Sequence, residues 1–356
     1  MSSSTPSIPI PEHALLGLAS NLPAFTPRTP TLSLSPLILF TRNRPPNYPI
    51  NIRITARTTG SSLPILLLSH GQGSSNNLSS LNGYAPLADY FASHGFVVIQ
   101  PTHLSSKSLS LSLSLGSQTD LDLDFDIEKL GPAPLFWKSR ILDFHDILDS
   151  SSEIEAGFPA LKGRLDWSRV GVIGHSMGAH TASFLLGAEY RDTSTTSPTI
   201  VNLRDQRVKA GILIGATGHD GPSGETQTEM ARRVAPFFAF TEFASMVTPV
   251  LTIFGDEDEP DYLTTRGKQW HRDAYDLGGG ERKSLLTVKG AGHIFGGLSG
   301  WDVRETGEDE SVERVGMVCR MGAAWLRTGL GIGDGDWEEA CEALKRLEGL
   351  GSVEGK

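Results

Sequence analysis

Residues 174–178 read Gly174-His175-Ser176-Met177-Gly178, a serine with glycine two places to either side of it. The apolar run RVGVIG (169–174) leads in, and the helically spaced SMGAHTASFLLGAEY (176–190) leads out. A chain that reverses this sharply from strand to helix strains its middle residue, and only small residues two places away let the two elements come close. The strain presents the hydroxyl above the end of the sheet, with a helix N-terminus behind it that favours negative charge. The chemistry open to such a serine is nucleophilic attack, and its hydroxyl needs a base first.

Ten histidines are available. For a nucleophile on a strand–helix turn the order along the chain is serine, acid, histidine, so the base is sought after residue 176. His180 lies four residues along the helix and points away from the hydroxyl. His219 in GATGHDG and His271 in QWHRDAY read as ordinary surface histidines. His293, in KGAGHIFGG after the last strand, sits on a glycine-rich loop able to carry an imidazole back over the sheet, and is the expected base. The acid should come from Gly255-Asp256-Glu257-Asp258-Glu259-Pro260. Asp256 and Asp258 share a face of an extended segment there, and spacing leaves both open, with Asp220 a weaker substitute. An oxyanion needs two backbone N–H donors. Met177 supplies one, and Gln72, between the glycines of Ser69-His70-Gly71-Gln72-Gly73-Ser74, supplies the other. His70 reads as a hydrogen-bonding residue that fixes this loop.

The rest of the chain offers elements to carry these residues. Candidate strands are LSLSPLILF (32–40), INIRITAR (50–57), PILLLSH (64–70), FVVIQP (96–101), RVGVIG (169–174), VKAGILIG (208–215), PVLTIFG (249–255) and SLLTVKG (284–290). The later runs are almost wholly apolar, as parallel strands buried on both faces must be, while the first two alternate and suit an antiparallel edge. Helical spacing marks 84–95, 136–155 and 176–190. Strands alternating with helices predict an α/β fold, a mostly parallel eight-stranded sheet with helices on both faces.

The length of 356 residues suits one large α/β domain, here 32–330, after an irregular Ser/Thr/Pro-rich stretch (1–31). Residues 331–356 close the chain as an amphipathic helix, with Trp337, Cys341, Leu344 and Leu347 at core-facing spacing. The segment 104–131 alternates leucine with serine and then aspartate, a low-complexity insertion that reads either as a variable surface loop or as a lid, the latter favouring a moderately hydrophobic acyl or alkyl group. A formal charge of −10 without a basic tract excludes nucleic acid as a partner. Cys319 and Cys341 fit neither a metal spacing nor a disulfide framework. No signal peptide and no apolar run of membrane-spanning length stand out, so a soluble cytoplasmic protein is expected.

Together LLLSHGQGSS, LADYFASHGFVVIQPTH, GVIGHSMGAH, FGDED and GAGHIFGG resemble the dienelactone-hydrolase-like branch of the α/β-hydrolases. That branch includes the platelet-activating-factor acetylhydrolases and the chlorophyllase-like hydrolases of fungi and actinobacteria. The resemblance covers about residues 32–330 and implies an α/β-hydrolase fold. It also implies metal- and cofactor-independent cleavage of a carboxylic ester, lactone or thioester through an acyl-enzyme. It assigns Ser176, Asp258 and His293 as the catalytic residues, Gln72 and Met177 as oxyanion donors, and Gly174 and Gly178 as the small residues of the turn, with Asp256 the alternative acid. Ala179 stands where the family commonly has glycine, and 104–131 has no counterpart in it. The same residues would serve an acyltransferase or cyclase, which product analysis with added alcohols or amines distinguishes. A non-catalytic ligand-binding protein is the remaining alternative, and it would not need the whole set.

Overall fold

The computed structural model describes residues 16–73, 78–107, 109, 135–192, 197, 199–221, 224–300 and 309–356. Most of the candidate lid 104–131 and all of the first fifteen residues of the chain therefore lie outside the described residues. The strands are β1 (Thr31–Leu39), β2 (Ile50–Arg57), β3 (Leu63–Ser69), β4 (Val97–Pro101), β5 (Leu165–His175), β6 (Glu189–Asp192), β7 (Thr199–Asn202), β8 (Val208–Ile214), β9 (Thr241–Glu242), β10 (Val250–Gly255), β11 (Lys283–Val288) and β12 (Gly351–Gly355). The longer helices are α1 (Ala85–Ser93), α2 (Trp137–Asp149), α3 (Met177–Leu186), α4 (Val312–Gly329) and α5 (Asp336–Lys345).

Nine strands form one mixed sheet in the order β1-β2-β4-β3-β5-β8-β10-β11-β12. The run from β4 to β11 is parallel throughout, while β1, β2 and β12 pair antiparallel at the two edges. Side chains of β3 alternate between two cores. Leu63, Ile65 and Leu67 face α2 and α3, whereas Leu66 and Leu68 face α1, α4 and α5. That is why the central strands read as unbroken apolar runs: each face of the sheet has its own helical layer to bury. Phe144 and Phe184 on one side and Phe91 and Met317 on the other are fully buried, each contributing roughly 1.5–3 kcal/mol.

The eight predicted strands are present, and the alternating first two do form the antiparallel edge. Three expectations are corrected. Among the described residues the sheet has nine strands rather than eight. The C-terminal segment is not helix throughout: α5 stops at Lys345 and the chain returns as β12 along β11. The N-terminal segment is not wholly irregular, since Gly17–Asn21 makes a 3-10 turn with Ala19 buried against α4. A second sheet, β7-β6-β9, which the sequence did not announce, stands beside the main one. No described helix is long and apolar enough to cross a membrane.

Candidate active site

Ser176 stands between β5 and α3 with φ 56° and ψ −122°, a region a non-glycine residue enters only under constraint. The constraint is visible in the backbone. The Ser176 amide donates to the Ile214 carbonyl at 2.9 Å, and its own carbonyl accepts from Ala179 and His180. A Cβ on Gly174 would run into the Gly178 carbonyl, and one on Gly178 into that of Ser69. The glycine spacing thus lets β3, β5 and α3 meet at one point. Ala179 is fully buried without displacing the turn.

Ser176 and His293 line the same cleft, together with Gln72, Tyr84 and His175. His293 Nδ1 lies 2.9 Å from Asp258 Oδ2 and 3.1 Å from Oδ1. A carboxylate only accepts, so Nδ1 carries the proton and Nε2 keeps its lone pair. Burial by itself raises the Asp258 carboxyl, but the imidazoles beside it, His293 foremost, outweigh this and hold it well below the usual carboxylate range. Burial pulls His293 down, yet the charge and hydrogen bond of Asp258 prevail and its pKa lies above the ordinary 6.5. Asp256, the other acid left open by spacing, caps the loop instead, accepting from the Gly290 amide at 2.6 Å. Asp220 accepts from Thr226 Oγ1.

Met177 is the first residue of α3, so its amide has no intrahelical acceptor. The amides flanking Gln72 are both taken, that of Gly71 by Tyr84 Oη at 2.9 Å and that of Gly73 by Ser79 Oγ at 2.7 Å. The Gln72 amide has no acceptor among the described residues, while its side chain donates to the Ser105 carbonyl at 2.8 Å. His70 fixes the loop as expected, donating from Nδ1 to the Gly71 carbonyl and accepting the His103 amide at Nε2.

Two further residues lace the cleft together. His175 Nε2 is 2.7 Å from the His293 carbonyl, which can only accept, so His175 is protonated there. Its Nδ1 must then accept, and Tyr84 Oη, 2.7 Å away, donates to it while receiving the Gly71 amide. Burial first, and His293 second, pull His175 down to about 3, which keeps this ring neutral. The chain Gly71–Tyr84–His175–His293 therefore ties the loops after β3, β5 and β11. His175 is the second letter of the serine motif, but nothing in the sequence joins it to a tyrosine 91 residues earlier.

His271 is not the surface histidine expected. The 3-10 helix Gly267–Arg272 turns Trp270 and His271 inward, and His271 is 2% exposed. Its Nδ1 lies 2.6 Å from the Ala216 carbonyl and its Nε2 3.3 Å from Asp258 Oδ2. His180 packs among Trp137, Phe184, Phe237 and Phe238, away from the cleft. His219 bonds the Thr241 carbonyl and stays apart.

A hydrogen-bonded serine–histidine–aspartate chain lies beneath the loop after β3. Ser69 Oγ is 3.0 Å from His103 Nε2, and His103 Nδ1 is 2.7 Å from Asp143 Oδ2. All three residues are fully buried, and Asp143 is clamped by Arg44 at 2.6 and 2.9 Å. Arg140 donates to Ser69 Oγ and to the His70 carbonyl on one side and to Thr181 of α3 on the other. A hydroxyl held in this way meets no substrate, so the network serves to fix the ends of β3 and α3. A scan against protein-family models finds no match for the chain, and a search of curated proteins finds no relative.

Proposed function

We propose that this chain is an α/β-hydrolase that cleaves a carboxylic ester, lactone or thioester through an acyl-enzyme on Ser176. The observation that carries this reading is the backbone of Ser176, φ 56° at the β5–α3 junction, in one cleft with a His293 already oriented by Asp258. The strand order, with two antiparallel strands at the β1 edge and the serine after the fifth strand, supports the fold.

In the proposed mechanism Ser176 Oγ attacks the acyl carbon while His293 Nε2 takes its proton. The amides of Gln72 and Met177 receive the oxyanion, each worth about 3 kcal/mol in the transition state. The imidazolium, held by Asp258, then gives its proton to the departing alkoxide. Water attacks the acyl-enzyme in turn, with His293 again as base. Leu78 and Ile294 on the cleft wall favour an apolar acyl or alkyl group.

Intact-mass labelling with a fluorophosphonate tests the reading. Wild type should gain one adduct, Ser176→Ala none, and Ser69→Ala should label like wild type. Labelling that survives Ser176→Ala, or no adduct on folded wild type, refutes it.

A further inference from the structure

We propose that Asp258, His271 and His293 form a binding site for a divalent transition-metal ion of the Zn²⁺ type, and that filling it silences Ser176. The binding half stands on the geometry of the three residues alone, and the silencing half rests on the function proposed above.

One donor atom from each residue lies within 4.8 Å of the other two. Asp258 Oδ2 is 2.9 Å from His293 Nδ1 and 3.3 Å from His271 Nε2. Zinc bonds to oxygen and imidazole nitrogen are about 2.0–2.2 Å, so the edge of a tetrahedron of such ligands is roughly 3.3–3.5 Å. The pair of His271 and Asp258 already has that separation, His293 Nδ1 needs to draw back from Asp258 by a few tenths of an ångström, and the two imidazole nitrogens, within 4.8 Å of each other, would have to close to the same edge.

His271 supplies the stronger reason. Its Nδ1 faces a carbonyl at 2.6 Å, which can only accept, so the proton belongs on Nδ1. Nε2 then faces a carboxylate oxygen at 3.3 Å, buried and with no aligned hydrogen bond. Where the ring is neutral, a cation seated between Nε2 and the carboxylate oxygen bonds both. A metal-binding histidine usually donates its other N–H to a carbonyl or carboxylate, as His271 does to Ala216. Two imidazoles and one carboxylate suit zinc, copper or nickel, whereas magnesium and calcium call for oxygen ligands. Entry is through the cleft, where the His293 side chain is 30% exposed.

Coordination at His293 Nδ1 moves the ring proton from Nδ1 to Nε2, and the imidazole stays neutral. Nε2 then presents N–H to Ser176 where a lone pair is required, and Asp258 is engaged by the ion. The base is lost without any change at the serine.

The test uses the full chain, stripped with chelator and dialysed. Bound metal is measured after equilibration with Zn²⁺ or Mg²⁺, and fluorophosphonate labelling is timed with and without Zn²⁺. One Zn²⁺ per chain is expected, undisturbed by Mg²⁺, with labelling slowed at least about tenfold and restored by EDTA. His271→Gln should bind Zn²⁺ at least about tenfold more weakly, and its labelling rate should no longer respond to the ion. Should that variant fail to fold, Co²⁺ added to wild type must broaden the imidazole resonances of His271 and His293. No bound zinc, equal affinity without His271, or unbroadened resonances overturn the site. Zinc bound with labelling unaffected overturns the silencing, and a metal-free wild type that never labels overturns the hydrolase reading while the zinc stoichiometry still decides the site.

Discussion

Ser69 is bonded to an aspartate-backed histidine, Ser176 shares a cleft with one, and exposure to water is what distinguishes the two hydroxyls. Ser69 is fully buried and already receives Arg140, whereas Ser176 is partly exposed on a cleft wall. The strained turn is what brings the second hydroxyl out, at a cost of about 1–3 kcal/mol in backbone energy. His293 must be neutral to act, and its pKa lies above 6.5 because Asp258 favours the charged ring. The neutral form is therefore lost as pH falls through that raised value, and labelling of Ser176 should decline with it, with a midpoint above 6.5. Asp258→Asn removes the charge, so the midpoint should move down while the rate falls by roughly 10³–10⁴ as the ring loses its orientation. A labelling rate measured from pH 5 to 9 in both proteins checks this, and an unmoved midpoint would count against Asp258 as the partner. The turn at Ser176 and the loops that bring His293 to Asp258 were legible because each is a short local pattern. His271 was not, because it sits in the mixed run Gln269-Trp270-His271-Arg272-Asp273 and only the 3-10 turn shows which side faces inward.

At the level of elements, the cleft is assembled from the ends of β3, β5, β10 and β11, and the loops that follow them are bonded to one another. The acid loop and the histidine loop meet through the Glu257 amide on the Ala291 carbonyl and through Asp256 on the Gly290 amide. Tyr84, just before α1, joins the remaining two. Tyr84→Phe strands the Gly71 amide and His175 Nδ1 together in a buried place, and each stranded group costs about 1–3 kcal/mol. Urea unfolding should show that loss, and the labelling rate should fall roughly ten- to a hundredfold as Gln72 and His293 lose their common anchor. Wild-type stability and rate in Tyr84→Phe would remove the tyrosine from this role. The parallel strands were readable because burial on both faces leaves them almost wholly apolar. The small sheet β7-β6-β9 was not, since its strands are two to four residues long and those of β7 are largely exposed.

Over the whole molecule the least readable feature is the last strand. Gly351-Ser352-Val353-Glu354-Gly355 has neither an apolar face nor a good strand composition, and it is extended because β11 offers it a free edge. Lys283 and Lys356 exchange both backbone hydrogen bonds at its end. Removing residues 351–356 should cost about 1–3 kcal/mol and uncover the β11 edge to other chains. Light scattering should then detect self-association, while folded chains keep their Ser176 labelling; a monomer of unchanged stability would show that β12 contributes nothing. The laced cleft has a further consequence, for descent. The imidazole beside the serine is one half of a pair whose other half lies at position 84. A lineage that trades Tyr84 for phenylalanine leaves that imidazole facing nothing, and one that trades His175 for an apolar residue leaves the hydroxyl without its acceptor. The two positions are bound to drift together, so a relative with only one of them changed should be rarer than a relative with both.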